Sequence, residues 1–198
     1  MSTFLGLLAL SYLLGSIPTS LLVARALGGP DPRRFGSGNL GAANLYRLLG
    51  LKAAALTFLG DVAKGALPVA LALSWLTPLG PWQDPGVALV GGAAVLGHVF
   101  PLYLGFKGGK GVATAFGVIL ILVPLAALNL ALVYVLALAQ TRIFSISALL
   151  CAWLLPVAVG LFCDSKAYLL LAAGLSGLIL LCHRDNLARF FKGEEPHL

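Results

Sequence analysis

The stretch GVATAFGVILILVPLAALNLALVYVLALAQT, residues Gly111 to Thr141, decides how many times this chain can cross a membrane. It contains no charged side chain, and it is too long for one ordinary crossing of about 20 residues and short for two. Pro124 lies near its middle, where the missing backbone N–H and the steric clash of the ring break or turn a helix. By itself the stretch is compatible with two short crossings or with one long kinked crossing.

The composition of the chain excludes the soluble class of proteins. Of its 198 residues, 60% are hydrophobic and 10% are charged, which predicts an integral membrane protein with a single domain over residues 1–198. The net charge of +6 comes from short basic loops rather than from a solvated basic face, so no nucleic-acid site is expected. The three cysteines lie in or beside apolar runs without CxxC spacing, which predicts buried thiols.

The distribution of basic residues decides between the two crossing counts. The other apolar runs are residues 3–24, 53–76, 86–105, 143–163 and 166–183. If residues 111–141 cross twice, the count is seven, and nearly all Lys and Arg side chains lie on the same side of the membrane. Only Lys166 then lies outside, and Lys64 lies within a helix. We therefore predict an all-α integral membrane protein with seven transmembrane helices, the N-terminus outside and the C-terminus cytoplasmic.

A glycine-rich turn precedes the Gly111–Thr141 run. The segment GHVFPLYLGFKGGKGVAT, residues Gly97 to Thr114, carries Lys107 and Lys110. Glycines let the backbone curl so that successive N–H groups point at one oxyanion, and lysines supply mobile charge. A P-loop is excluded because Gly111, not Ser or Thr, follows Lys110. Basic residues beside apolar segments are also common membrane anchors, so the turn alone leaves both functions open.

The first predicted cytoplasmic loop, Gly28 to Lys52, contains a second glycine-rich segment. Residues Gly36–Gly41 match the GxGxxG pattern, but no βαβ unit is present to hold a dinucleotide. We expect Ser37 or Asn39 to cap a short interfacial helix on which Arg47 faces inward. Three leucines are expected on the membrane surface: Leu45, Leu48 and Leu49.

Several polar residues lie inside or at the ends of apolar runs. Asp61 and Lys64 are three residues apart, so they share a helix face and can pair. The sequence leaves open whether Asp61 is structural or contacts substrate, and it favours a functional role for Lys64. His98 is most typical of a hydrogen-bonded core residue. Ser145 can either cap a helix or bind substrate.

The C-terminal segment leaves the apolar run at HRDN and continues to KGEE. His183 and Asn186 are three residues apart, which predicts that they lie on the same helical face. The surrounding residues form a basic amphipathic end.

Taken together, three segments resemble the acyl-phosphate:glycerol-3-phosphate acyltransferase family of bacterial inner membranes. They are GSGNLGAAN (Gly36 to Asn44), GHVFPLYLGFKGGKGVAT (Gly97 to Thr114), and HRDN (His183 to Asn186) followed by KGEE (Lys192 to Glu195). The resemblance implies seven crossings and transfer of a fatty acyl group from acyl phosphate to the 1-hydroxyl of glycerol 3-phosphate. The implied products are lysophosphatidate and inorganic phosphate. No metal, cofactor or acyl-CoA is implied, and a separate soluble enzyme would supply acyl phosphate.

The residue patterns and the resemblance together predict the residues of the site. The catalytic residues are His183, Asn186 and Lys110. The residues that bind substrate are Ser37, Asn39, Asn44, Arg47, Lys64, Lys107 and Ser145. The structural or supporting residues are Asp61, His98, Gly108, Gly109, Gly111 and Thr114. The sequence departs from the family pattern at Ala43, where the family often has Thr, and at Asp185, where it often has Glu.

Both substrates of this reaction carry phosphate, so cations and N–H donors must converge where the acyl carbonyl meets the glycerol hydroxyl. An arginine can hold a phosphate with two parallel hydrogen bonds, whereas a lysine acts as a point charge. We expect Arg47 and Lys64 at the glycerol phosphate and Lys110 at the phosphate of the donor.

The chain shows no clear general base. Five residues after His98 stands Tyr103, and five after His183 stands Ala188, so the HxxxxD pattern of other glycerolipid acyltransferases is absent. Acyl phosphate is already activated, and a substrate phosphate can accept a proton. We therefore expect substrate-assisted catalysis in which His183 and Asn186 orient groups.

Two other functions compete with the enzyme. A transporter of a phosphorylated solute predicts strong polar groups near the midplane of the membrane and often an internal repeat. We find no convincing repeat, and the crossings are poor in such groups. A noncatalytic scaffold would leave the clustered glycines unexplained.

Overall fold

The computed structural model describes residues 2–76, 80 and 83–198, and these residues form helices and connecting turns without any strand. The predicted all-α class is therefore confirmed for the described part of the chain. Its α-helices, in chain order, are α1 (Ser2–Gly15), α2 (Thr19–Ala26), α3 (Ala42–Trp75), α4 (Gln83–Val99), α5 (Val112–Leu122), α6 (Pro124–Thr141), α7 (Phe144–Phe162), α8 (Lys166–Cys182) and α9 (Arg184–Phe191). A 3-10 turn, Leu102–Leu104, follows α4.

The helices of a membrane protein are long and apolar, and several here meet both conditions. Among the described residues, four helical segments are long and apolar enough to cross a membrane, and the number rises to six if each bent pair is one span. The bent pairs are α1 with α2, at 43°, and α8 with α9, at 54°. At 1.5 Å per residue, the 11 residues of α5 extend only about 16 Å, roughly half of the hydrocarbon thickness. The predicted total of seven crossings and their orientation therefore stay predictions.

Pro124 breaks the long apolar run, as expected. Helix α5 ends at Leu122, and Pro124 is the first residue of α6. Proline suits this position because its missing N–H has no helical partner there in any case. Residues 111–141 thus form two helices.

The chain divides into two compact units, Met1–Val118 and Ile119–Leu198. In the first unit, α1 packs on α3 and α4, and α2 packs on α3. In the second unit, α7 packs on both α6 and α8. Each unit therefore has its own helical packing.

Glycines bring α1 and α4 into close contact in the first unit. A Cβ atom at Gly15 would overlap the backbone of Ala94, and one at Gly97 would overlap the backbone of Tyr12. The Ser11 hydroxyl also donates to the Val90 carbonyl at 2.7 Å. Such close approach of backbones is the usual function of small residues between membrane helices.

A short helical segment does precede the membrane-spanning part of α3. Gly50 has φ 79° and ψ −170°, which separates Ala42–Leu49 from the rest of the helix. The residue that caps this segment is Gly41, without any side-chain hydrogen bond. The prediction that Ser37 or Asn39 caps the helix is therefore wrong.

The expected orientation of this segment is also wrong. Leu45 is completely buried and packs with Ala24 and Ala53, because the segment folds back onto α2. Arg47 is exposed rather than facing inward. The buried leucine therefore anchors the first loop to the protein.

All three cysteines of the second unit are free thiols, but each is only partly buried. The Cys151 thiol donates to the Leu130 carbonyl at 3.3 Å, which links α7 to α6. The absence of CxxC spacing correctly predicted that these residues do not form disulfides, whereas complete burial was not correct.

Candidate functional site

The first unit contains a buried polar network at the break between α1 and α2. Pro18 lacks an N–H, and the chain turns here so that the Ile17 carbonyl points inward. Lys64 Nζ donates to this carbonyl at 3.0 Å. The lysine side chain is only 7% exposed, so this hydrogen bond fixes the ammonium group inside the protein.

Asp61 provides the negative charge of the network. Its Oδ1 lies 2.9 Å from Lys64 Nζ, which confirms the pairing expected from their spacing of three residues. The same oxygen accepts a hydrogen bond from the Thr19 hydroxyl and lies 3.5 Å from His98 Nδ1. The carboxylate is therefore surrounded by groups from three helices, as a buried charge requires.

The glycine-rich turn folds back onto the end of α4. The Gly108 N–H donates to the Val99 carbonyl, and the Gly109 N–H donates to the His98 carbonyl, both at 3.1 Å. Carbonyls at a helix C-terminus lack helical partners, and these two glycines satisfy them. The expectation that N–H groups of this turn bind an oxyanion is therefore wrong for Gly108 and Gly109.

Donors for an anion are instead found directly after the turn. Gly111 has φ 83°, a left-handed conformation that favours glycine, and α5 begins at Val112. The first N–H groups of a helix have no partner within it, and the helix dipole makes that end positive. Lys110 is half-buried beside this helix start, and Lys107 is exposed. The Thr114 hydroxyl in the first turn is buried and has no hydrogen-bond partner among the described residues.

A small cavity lies between the helix break, Lys64, His98 and the glycine turn. Its lining residues are Ser16, Ile17, Pro18, Thr19, Leu40, Lys64, His98, Pro101, Leu104, Gly108 and Gly109. The space open to the centre of a water-sized sphere is about 10 Å³, which is enough for about one water molecule. Leu40 belongs to the first predicted loop, so the first two glycine-rich segments do meet, but this cavity is too small for a glycerol phosphate.

Asn44 holds the first loop together. Its Oδ1 accepts from the Ser37 N–H at 3.0 Å, and its Nδ2 donates to the carbonyls of Pro32, Phe35 and Asn39 at 2.9 to 3.2 Å. The side chain is 1% exposed. These contacts occupy the amide and fix the shape of the loop, and a contact of Asn44 with substrate stays a prediction.

One arginine of the first loop is paired with an acidic residue. Arg33 donates to both carboxylate oxygens of Asp31, at 2.6 to 3.1 Å. These hydrogen bonds lower the pKa of Asp31 to about 2. Asp31 therefore stays ionised at neutral pH and compensates the charge of Arg33.

The second unit has its own polar cluster around a glutamate of the tail. Glu195 is 5% exposed, and its Oε1 accepts from the Ser145 hydroxyl at 2.6 Å and from Asn186 Nδ2 at 2.5 Å. Its Oε2 accepts from Arg189 Nε at 2.8 Å. Burial by itself raises the pKa of the Glu195 carboxyl, but hydrogen bonds from Ser145, Asn186 and Arg189 outweigh it and hold the pKa below its usual value.

His183 lies at the junction of α8 and α9. Its ring is 3% exposed, and Nδ1 lies 2.8 Å from the Ile179 carbonyl. Because a carbonyl oxygen only accepts, the proton of this hydrogen bond lies on Nδ1. The residue that caps the start of α7 is Ile143, and Ser145 lies inside the helix. The prediction that Ser145 caps this helix is therefore wrong.

The comparison with known proteins decides the family. A family model described as Glycerol-3-phosphate acyltransferase matches residues 5–193. The chain belongs to this family. The protein of that name from Syntrophotalea carbinolica is 42% identical over 196 residues, which covers 98% of this chain and 97% of the relative. The one from Pseudomonas fluorescens (strain Pf0-1) is 47% identical over 189 residues, covering 95% and 96%.

Two solved structures of PlsY (YgiH), an integral membrane glycerol 3-phosphate acyltransferase, are similar to this chain at 36% identity. The glycerol 3-phosphate form has a TM-score of 0.90 and covers 99% of this chain and 96% of its own. The lysophosphatidic acid form has a TM-score of 0.88, covering 99% and 95%. The family inferred from the three sequence motifs is therefore confirmed, and so is an integral membrane protein.

Within this glycerol-3-phosphate acyltransferase, the predicted site residues fall into two groups. The buried residues are Asn44, Asp61, Lys64, His98, Gly109, Gly111, Thr114, Ser145, His183 and Asn186. The exposed or half-buried residues are Ser37, Asn39, Arg47, Lys107, Gly108 and Lys110. Glu195 was missed, although the KGEE segment was recognised, because its partners come from residues up to 50 positions away.

Proposed function

We propose that this protein transfers an acyl group from acyl phosphate to the 1-hydroxyl of glycerol 3-phosphate. The products are 1-acyl-glycerol 3-phosphate and inorganic phosphate, and the reaction is the first acylation of phospholipid synthesis. Membership of the family supports the acceptor. The use of acyl phosphate as donor rests on the resemblance of the motifs and on the phosphate chemistry of the site.

The observation that carries this proposal is the passage from the glycine turn into α5. Lys110 and the first N–H groups of α5, which have no acceptor within the helix, lie within a few residues of each other, so they offer charge and directed donors to the same anion. Lys107 adds an exposed positive charge to the same turn. We assign the phosphate of the acyl donor to this place.

The glycerol phosphate requires a second set of donors. Arg47 and Ser37 are exposed in the first loop, whose shape Asn44 fixes through its four hydrogen bonds. A guanidinium can hold a phosphate with two hydrogen bonds, so we assign this substrate to Arg47. Lys64 is already bound by Asp61 and by the Ile17 carbonyl, so we assign it a supporting role next to the substrate site.

The chemical step needs no general base from the protein. The 1-hydroxyl oxygen attacks the acyl carbonyl carbon, the bond from that carbon to the phosphate oxygen breaks, and the hydroxyl proton passes to the departing phosphate. The cations stabilise the negative charge that grows on this phosphate in the transition state. His183 and Asn186 orient substrate groups, since a buried imidazole and a buried amide offer fixed hydrogen bonds.

The site is proposed to face the cytoplasm from the inner membrane of a bacterium. A soluble enzyme would supply acyl phosphate, and the acyl chains of substrate and product would stay in the lipid. This placement agrees with the positive-inside distribution of Lys and Arg.

The test uses purified protein in lipid vesicles with labelled glycerol 3-phosphate and either acyl phosphate or acyl-CoA. Lysophosphatidate is expected with acyl phosphate alone. Lys110→Ala should lower the rate by about 100-fold, because a donor to the transition-state charge is lost. Lys166→Ala, another lysine next to an apolar helix, should keep the wild-type rate. Product from acyl-CoA alone would refute the donor assignment, and uptake of label without product would favour a transporter.

A further inference from the structure

We propose that His98 is a positioning residue for the Gly108–Gly109 turn and connects this turn to the buried Asp61–Lys64 pair. The inference rests on the proposed function, since it assumes that the turn places Lys110 at a substrate phosphate. His98 itself does not contact substrate. Its effect on the reaction is exerted through Gly109.

The first contact is between the His98 backbone and the turn. Its carbonyl accepts the Gly109 N–H, and the carbonyl of the next residue, Val99, accepts the Gly108 N–H. These two hydrogen bonds dock the turn onto the last turn of α4. A substitution of the side chain leaves them in place, so the side-chain contribution can be measured separately.

The second contact is between the imidazole ring and Gly109. A Cβ atom built on Gly109 would overlap His98 Nε2 and would lie 3.0 Å from the Leu40 carbonyl. Gly109 has no positive φ, so glycine is required here by close approach rather than by backbone conformation. The ring therefore acts as a surface that sets how deeply the turn can move into the cavity.

The third contact holds the ring itself. His98 is 6% exposed, and Nδ1 lies 3.5 Å from Asp61 Oδ1 without meeting the geometry of a hydrogen bond. Asp61 is in turn held by Lys64 Nζ and the Thr19 hydroxyl. Lys64, Thr19, His98 and Gly109 also line one small cavity. The position of the turn thus depends on a network that reaches α2 and α3.

Two matched substitutions of His98 distinguish the contact that its ring makes with Gly109 from the one that it makes with Asp61. In His98→Gln the amide reaches the place of Nε2 next to Gly109. In His98→Asn it reaches only the place of Nδ1 next to Asp61. If the ring positions the turn, the asparagine variant should raise the KM of the phosphate substrate bound at the turn about tenfold, because small misplacements of binding groups are costly. The glutamine variant should stay within about threefold.

The KM of the second substrate, the one not bound at the turn, serves as the internal control. By the assignment of Lys110, the KM for acyl phosphate should rise and that for glycerol 3-phosphate should change less than about twofold. If only the KM for glycerol 3-phosphate rises, positioning is supported and the assignment of Lys110 to the donor fails. Equal losses for both substrates, or a larger loss for glutamine than for asparagine, would overturn the inference.

Gly109→Ala tests the same contact from its other side. It should raise the same KM, and its combination with His98→Asn should do less harm than the product of the two single effects, because the smaller side chain makes room for the methyl group. Gly174→Ala, where a Cβ has nothing within 4 Å, is the uncoupled control. If Gly109→Ala leaves both KM values unchanged, the inference fails whether or not the His98 variants fold. If the wild type itself forms no lysophosphatidate, it is the proposed function that fails.

Discussion

Replacing Glu195 by glutamine tests whether the tail is fixed by its buried carboxylate. The wild-type group accepts three hydrogen bonds, from Ser145, Asn186 and Arg189. Glutamine keeps the size of the side chain but replaces one acceptor oxygen by an NH₂ donor. At least one of the three partners must then face another donor, so the change removes hydrogen bonds without creating a large cavity.

The size of the effect follows from the three contacts. The Arg189 side chain is 39% exposed, so its lost ion pair contributes about 0.5–1 kcal/mol after screening by solvent. The hydrogen bonds from Ser145 and Asn186 are made to a charged acceptor in the wild type and to a neutral one in the variant. This change roughly halves the strength of each bond, which costs about 0.5–1 kcal/mol per bond. The sum is about 2 kcal/mol. For a chain of this size it corresponds to a fall of roughly 4–8 °C in Tm.

The assay is thermal unfolding in detergent micelles, followed by circular dichroism. The matched control is Glu194→Gln, since Glu194 is the neighbouring carboxylate and is exposed. That control should stay within about 0.5 kcal/mol of the wild type. If Glu195→Gln also leaves Tm unchanged, or if both variants lower it equally, the buried cluster does not stabilise the tail and the reasoning is refuted.

The pH dependence of Tm gives a second test of the same prediction, with a defined direction. The pKa of Glu195 is lower in the folded protein than its usual value of 4.5, so its contribution is present above that value and is lost as the pH falls through the folded-state pKa. The difference in Tm between the wild type and Glu195→Gln should therefore be constant near neutral pH and shrink in acid. A difference that grows in acid would show that the sign is wrong.

Three further substitutions test other parts of the structure by thermal unfolding. Lys64→Met leaves a buried carboxylate without its ammonium partner and should destabilise the protein by roughly 3 kcal/mol, whereas no loss would mean that the pair is not buried. Asn44→Ala removes four hydrogen bonds and should cost about 2–3 kcal/mol, with faster cleavage of the first loop by protease; an unchanged cleavage rate would contradict its role. Gly97→Ala should lower Tm because its Cβ would overlap the backbone of Tyr12 in α1. Its control is Gly174→Ala, where a Cβ meets nothing within 4 Å; that variant should be more stable than the wild type by up to about 1 kcal/mol through helix propensity, and a fall in Tm as large as that of Gly97→Ala would contradict the argument.

The features of the fold that could be predicted from sequence are those set by local patterns. Apolar runs predicted the helices, Pro124 predicted the break between α5 and α6, and the spacing of Asp61 and Lys64 predicted their pairing. Each of these depends on residues that are close together in the sequence: one continuous apolar run, one proline, or two residues three positions apart. The short length of α5 was not predictable in this way, because nothing in an apolar run marks how its residues divide between two helices.

The errors concern contacts between distant segments. Leu45 is buried because the kink at Gly50 folds its helix onto α2. An amphipathic pattern shows that one face of a helix is apolar, but it does not show whether that face packs on protein or on lipid. Glu195 binds Ser145 across 50 positions. The sequence showed a polar residue in each segment, but only the packing of the chain shows that they share hydrogen bonds.

The glycines of the KGGKG turn show that a motif can identify the family correctly while the contact predicted for its residues is wrong. Gly108 and Gly109 donate to carbonyls at the end of α4, so their N–H groups are already used. A Cβ at either residue would overlap the backbone or ring of His98, and neither has positive φ. Glycine is thus required for close approach. Under the proposed function, the anion donors are therefore Lys110 and the first N–H groups of α5 rather than the N–H groups of Gly108 and Gly109.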